Sequence, residues 1–162
     1  MTKTEHPRAP LAVVGGENVE AGLNRTEPTA MIKVDLDERA FLMPVPKQLT
    51  HLQLLVFKPN MIRLEGVFLF NASGASTELV ELTGVDATEL ATRLIDSVYR
   101  AQSSVIVTKT TSLTVSVVTN GYVLQFGDLT NPRELFLSTS CIWRVCSGLA
   151  RAVDFLSHSA RH

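Results

Sequence analysis

The sequence predicts an α+β fold: antiparallel β meanders, one central amphipathic helix and a long C-terminal helix, in the order strands, helix, strands, helix. Three observations carry this. From Ile32, Val34 and Leu36 onward, segments alternate apolar and polar residues, the period of a strand with one buried face. Ala87, Leu90, Ala91, Leu94, Ile95 and Val98 recur at helical spacing, and so do Ile142, Val145, Leu149, Ala152, Val153 and Leu156. Asn120-Gly121, set between two β-rich runs, is a strong hairpin signal.

The chain has 162 residues, enough for one domain with a real core plus a tail. Residues 1–28, rich in Pro, Gly, Glu and Asn, read as a flexible tail, residues 29–158 as a single domain, and 159–162 as a disordered C-terminus. Within the tail, Leu11-Ala12-Val13-Val14-Gly15-Gly16 lacks the Gly-Lys-Ser/Thr that a phosphate loop needs. It remains a short strand or a docking peptide.

In the first half, residues 52–57 and 61–70 are β-rich runs split by the turn cluster Lys58-Pro59-Asn60, after a loop holding Pro44 and Pro46. Ile62, Leu64, Phe68 and Phe70 share one face and Arg63 and Glu65 the other. Residues 77–83 form a further strand. Asp86, with Glu89 three residues on, reads as the cap of the central helix. Residues 104–108 are a separate strand, set off by a bend at Lys109-Thr110-Thr111-Ser112.

In the hairpin, pairing Thr119 with Tyr122 places Val117 opposite Leu124 and Val115 opposite Phe126, all on one face with Leu113. Asn131-Pro132-Arg133-Glu134 supplies a cap, a first-turn proline and a capping-box carboxylate, so it reads as the start of the last helix. That helix runs to about Leu156, with a possible break at Ser138-Thr139-Ser140.

Cys141 and Cys146 are five apart, and their side chains diverge by about 140° on a helix. A disulfide or a shared metal needs facing vectors. Both are therefore expected to be unpaired, metal-free core residues at the edges of the stripe. Trp143, the only tryptophan, points off the stripe and either covers the sheet's flank or anchors a partner. Arg144 and Arg151 share the outer face as further candidate partner contacts.

Little points to catalysis. His6, His51, His158 and His162 have no partner by spacing, and no Gly-x-Ser-x-Gly elbow exists. Asp35-Leu36-Asp37-Glu38 reads as a solvated loop rather than an ion site. No enzyme activity, cofactor or metal is expected. With 15 basic and 16 acidic residues, net charge is −1, which gives no field for a sequence-independent grip on duplex DNA. No apolar run is long enough to span a membrane and no secretory core is evident, so a cytoplasmic location is expected. The sequons at Asn24 and Asn71 then carry no meaning.

The second face of the hairpin stands out by its lack of charge. Thr114, Ser116, Val118, Val123 and Gln125 lie there, extended by Ile106 and Thr108 on the preceding strand. In the expected register Val118 opposes Val123, and Ser116 opposes Gln125. A solvated sheet face usually carries Lys and Glu. This face suits either a contact between copies or cover by the tail or long helix. With charged residues at only 19%, the expectation is a non-catalytic assembly or adaptor protein acting as a homo-oligomer, a dimer or higher, with an unidentified protein partner also possible.

The element order also resembles that of single-stranded nucleic-acid binders of the Whirly, PUR and PC4 type. That resemblance implies the alternative: binding of single-stranded nucleic acid through Lys58, Arg63 and Lys109. Aromatic residues, which such sites use as stacking platforms, are only 6%.

Overall fold

The described residues form ten strands and two helices, in the order strands, helix, strands, helix. The computed structural model describes residues 27–70, 73–108, 112–127 and 132–160. The expected tail strand at 11–14, the bend at 109–111 and the cap Asn131 lie outside them. Strands β1 (Ala30–Asp35), β4 (His51–Phe57), β5 (Met61–Phe70) and β6 (Ser73–Leu82) form one antiparallel sheet in the order β1-β4-β5-β6. Helix α1 (Gly84–Arg100) follows. Strands β7 (Ser104–Val107), β8 (Ser112–Val118), β9 (Gly121–Phe126) and β10 (Arg133–Leu137) then precede helix α2 (Thr139–Ala160). The second sheet has six strands, because β2 (Phe41–Met43) and β3 (Lys47–Gln48) leave the first half of the chain and join it, giving β3-β2-β10-β9-β8-β7.

Alternation decides which face of each strand is buried. Ile32 and Val34, Leu52, Leu54 and Val56, and Ile62 and Leu64 are all buried on one face of the first sheet. Leu42, Leu113, Val115, Leu124, Phe126, Leu135 and Leu137 do the same on the second. Both inner faces and the apolar stripes of both helices meet in one continuous core. Helix α2 lies against β1 and β4, while α1 lies against α2 and reaches both sheets. The α1 stripe is as expected, with Ser97 added; its hydroxyl donates to the Leu94 carbonyl at 2.7 Å, so the buried oxygen has a partner.

Three local readings of the sequence need correction. First, α1 is capped by Thr83, not Asp86. Thr83 Oγ1 accepts from the Asp86 amide, and the Asp86 carboxylate accepts from the Thr83 amide. Asp86 is thus the third residue of the capping box rather than its first.

Second, Arg133-Glu134 does not open a helix. Arg133–Leu137 is strand β10, paired with β9 on one side and β2 on the other. In "RELFL" Leu135 and Leu137 are buried while Glu134 and Phe136 face outward, so the period is two. Two sheet edges accept this segment, and that outweighs a favourable helix cap. The helix starts after Ser138, whose carbonyl accepts from the amides of Cys141 and Ile142.

Third, the hairpin register differs. Val118 pairs with Gly121, Val117 with Tyr122, Ser116 with Val123, Val115 with Leu124 and Thr114 with Gln125. The shift is by two residues, so every side chain keeps its expected face. The turn residues are Thr119 and Asn120, with Asn120 at φ 68°. Gly121 serves packing instead. A Cβ there would lie 2.5 Å from Phe136 Cζ and 2.7 Å from the Leu137 carbonyl oxygen.

Hydrogen bonds from Arg133 and to Asp37 help to join the two halves. At the register shift between Leu64 and Glu65, Leu79 is the extra residue of β6. Arg133 reaches across from β10 and donates to the carbonyls of Glu78 and, at 2.8 Å, Leu79. Past the end of β1, Asp37 accepts from the buried Ser138 hydroxyl at 2.6 Å and from the Arg39 amide at 3.0 Å. Its own amide points at Cys141 Sγ, 3.4 Å away. The Ser138 hydrogen bond is the main cause that holds the Asp37 carboxyl below its ordinary value; the Arg39 amide adds to it and burial opposes it.

Two expected outcomes follow from this packing. Gly121→Ala should destabilise the protein by about 2 kcal/mol, since a backbone carbonyl and a held ring block the methyl. Gly74→Ala, where a Cβ meets nothing within 4 Å, should stay within about 0.5 kcal/mol in the same urea unfolding series.

For Asp37, a folded-state pKa below the unfolded one stabilises above the unfolded value, 3.8, and that gain is lost as pH falls through the folded value. Asp37→Asn should therefore cost about 1–2 kcal/mol at pH 7. The gap to wild type should close as the medium is acidified below 3.8.

Candidate functional site

The outer faces of the two sheets have opposite character. On the four-stranded sheet Lys33, Asp35, His51, Arg63, Glu65, Glu78 and Glu81 share the outer face, as the strand registers require. Arg63 meets Glu78 at 2.9 Å and Glu81 at 3.2 Å, and its guanidinium also lies 4.9 Å from the Phe57 ring centre. Gln53 donates to Glu65 at 2.7 Å. Burial, with the Lys33 charge added, holds His51 below its ordinary value, so its ring is neutral at pH 7. Most charges on this face are paired with one another, and the face also carries exposed Met31 and Leu69.

The six-stranded sheet presents two rows across its outer face. One runs Phe41, Phe136, Val123, Ser116; the other runs Met43, Glu134, Gln125, Thr114, Val105. Among the described strand positions of this face, Glu134 is the one ionisable side chain. Apolar groups lie open to solvent: Val107 is 78% exposed, Val105 59%, and Phe41, Met43 and Val118 each 39%.

The expected interface residues are therefore brought together in part. Thr114, Ser116, Val118, Val123 and Gln125 do share the outer face, with Val118 beside Gly121 at its margin rather than opposite Val123. Ile106 and Thr108 do not. Ile106 pairs with Leu113 and is buried in the core, and Thr108 is buried too. Strand β7 enters the sheet one residue out of the assumed phase, so Val105 and Val107 take the outer positions. Phe41, Met43 and Phe136 were missed by sequence reasoning, because β2 and β10 were read as a loop and a helix. The alternation in "RELFL" was the available signal.

A second feature lies between the open edge of the first sheet and α2. Among the described residues, strand β1 is a sheet edge. A cleft of about 640 Å³ beside it is lined by Lys33, Val34, Asp35, Trp143, Arg144, Ser147, Gly148 and Arg151. Gly148 brings the helix backbone onto the strand: a Cβ there would lie 2.5 Å from Val34 Cγ2. The three expected partner contacts, Trp143, Arg144 and Arg151, thus line one cleft. Trp143 is 41% exposed and stands edge-to-face with Tyr99, ring centres 5.9 Å apart. Arg144 donates to the Asp35 carbonyl at 3.3 Å. Lys33 lies 3.5 Å from the Asp35 carboxylate.

The residues expected to touch nucleic acid lie in different settings. Arg63 is held by two carboxylates, Lys58 sits in the β4–β5 turn, and Lys109 lies outside the described residues. Both cysteines are free and buried. Cys146 has its Sγ 3.6 Å from the Ala91 carbonyl, and burial pushes its thiol up to about 11. Among the described residues no group of three or more His, Cys, Asp or Glu side chains is placed to share a metal ion. No described helix is long and apolar enough to cross a membrane. No protein-family model matches the chain, and no curated protein matches it.

The thiols give a direct check on this packing. Alkylation by iodoacetamide at pH 8 should be at least about 100-fold slower for the native protein than in denaturant, where both thiols should react. Rapid native labelling would show that the α2 stripe is not buried as described.

Proposed function

We propose that the protein is a non-catalytic assembly or adaptor protein that works as a homo-oligomer, its copies meeting through the outer face of the six-stranded sheet. One observation carries this reading: the contrast between an outer face that carries many, mostly paired charges on one sheet and a face with a single carboxylate on the other. Both are sheet surfaces of the same chain, so overall composition does not account for the difference. Covering Thr, Ser, Gln and Val positions traps no unpaired ion except at Glu134, and the hydroxyls and amide can hydrogen-bond across a contact. Phe41, Met43 and Phe136 supply apolar area for its centre and rim.

Size sets the expected strength. Six strands about 4.8 Å apart, each about five residues long, give a flat face of roughly 24 by 17 Å. That is below the roughly 800 Å² per partner of a standard interface. A two-fold dimer in the micromolar range is the expected form.

Light scattering after size exclusion tests it. The wild type should be dimeric at tens of micromolar. Val123→Lys and Thr114→Lys should each shift it to monomer, since each brings an ammonium to the middle of the covered face at a cost of several kcal/mol. A monomeric wild type would defeat the reading, and a dimer indifferent to both changes would place the contact elsewhere.

A further inference from the structure

We propose that the cleft between β1 and α2 is a docking site for an acidic, extended peptide of another protein, which adds to the first sheet as a strand beside β1. The inference goes beyond self-association and uses a different surface.

The first support is the direction of the backbone. Leu36 donates to the Thr50 carbonyl, which continues the β1–β4 ladder and fixes its phase. Residues of the same parity, Val34 and Ile32, bond toward β4. Asp35, Lys33 and Met31 therefore turn their main-chain groups to the open edge. The reach of Arg144 to the Asp35 carbonyl agrees with that phase. An added strand would find a row of donors and acceptors along the cleft, and among the described residues it would displace this long, exposed hydrogen bond.

The second support is unbalanced charge. Arg39, Arg63 and Arg93 each lie within 4 Å of a carboxylate. Among the described residues Arg151 forms no ion pair, and Arg144 meets only a carbonyl. They stand two helical turns apart, about 10 Å along α2, on one side of the cleft. Lys33 is matched at 3.5 Å by Asp35, the single carboxylate in the lining, so the two arginines carry the unmatched charge. Side chains on one face of an added strand recur every two residues, at about 7 Å, so two acidic positions on that face come within reach of both guanidinium groups. Trp143, in the lining and 41% exposed, with Tyr99 packed edge-to-face against it, offers an anchor for an apolar residue of the same peptide. Nucleic acid would use the charge and the rings but not the strand edge, so a peptide is the better match.

Trp143 is the only tryptophan, so its emission reports on the site. The full chain is titrated with a synthetic decapeptide alternating Glu and Val, with the same peptide carrying two central prolines, and with a Lys-for-Glu version. Single-stranded oligothymidylate is the fourth arm. The Glu/Val peptide should change Trp143 emission saturably, and its affinity should fall as salt is raised. Proline, which cannot supply the ladder donors, should weaken binding at least tenfold, and the lysine version should not bind.

Arg144→Gln with Arg151→Gln should weaken binding at least tenfold while leaving the melting curve unchanged, because both residues are exposed. Val123→Lys should bind the peptide as wild type does, which separates this site from the sheet face. The proposal is overturned if the peptide does not bind, if binding is indifferent to the prolines or to the arginine changes, or if oligothymidylate binds more tightly.

Discussion

The hydrogen bond from the Ser138 hydroxyl to the Asp37 carboxylate fixes the relation between the two halves of the chain. Asp37 lies two residues past the first strand, and Ser138 stands between the last strand and the last helix. An ionised acceptor at 2.6 Å makes this a charge-assisted bond, and the carboxylate also lies at the N-terminal end of α2, where the helix dipole favours it. With the shared apolar core, this bond sets α2 over β1. Once α2 starts at that point, Gly148 falls on Val34, the helix lies close along the sheet edge, and Trp143, Arg144 and Arg151 line up beside the open strand.

Much of the architecture was legible in the sequence, because strand alternation and helical stripes are imposed by one buried face. The two stripes, the β4–β5 pair and the hairpin faces could all be read from residue type. Capping signals were less dependable. Thr83 and Asp86 form a true box, while Asn131-Pro132-Arg133-Glu134 has the same grammar in front of a strand. A cap signal contributes about a kilocalorie. Filling a slot between two strands and burying Leu135 and Leu137 contributes more.

The candidate surfaces were legible only in part for a related reason. The absence of charge on the hairpin could be seen, but its continuation onto Phe41, Met43 and Phe136 depends on strand partners distant in sequence. Ile106 was placed on the wrong face because phase between β7 and β8 is set across a turn that the pattern does not specify. Trp143, Arg144 and Arg151 were visible as an off-stripe group on a helix. That they share a cleft with Lys33 is a property of the sheet edge, which no local pattern records.

The excursion of β2 and β3 into the second sheet has a consequence for how the chain comes to be folded. Each half has the same order of strands and helix, yet neither half is a separable unit, since β10 is held between β9 and a strand made near the start of the domain. During synthesis β2 and β3 emerge long before their sheet exists. Leu42, buried at the end, stays uncovered until β10 arrives. The closing step therefore joins residues far apart along the chain, and it completes the sheet and positions the start of α2 together. Late zippering of this kind makes folding slow relative to a helical protein of the same length.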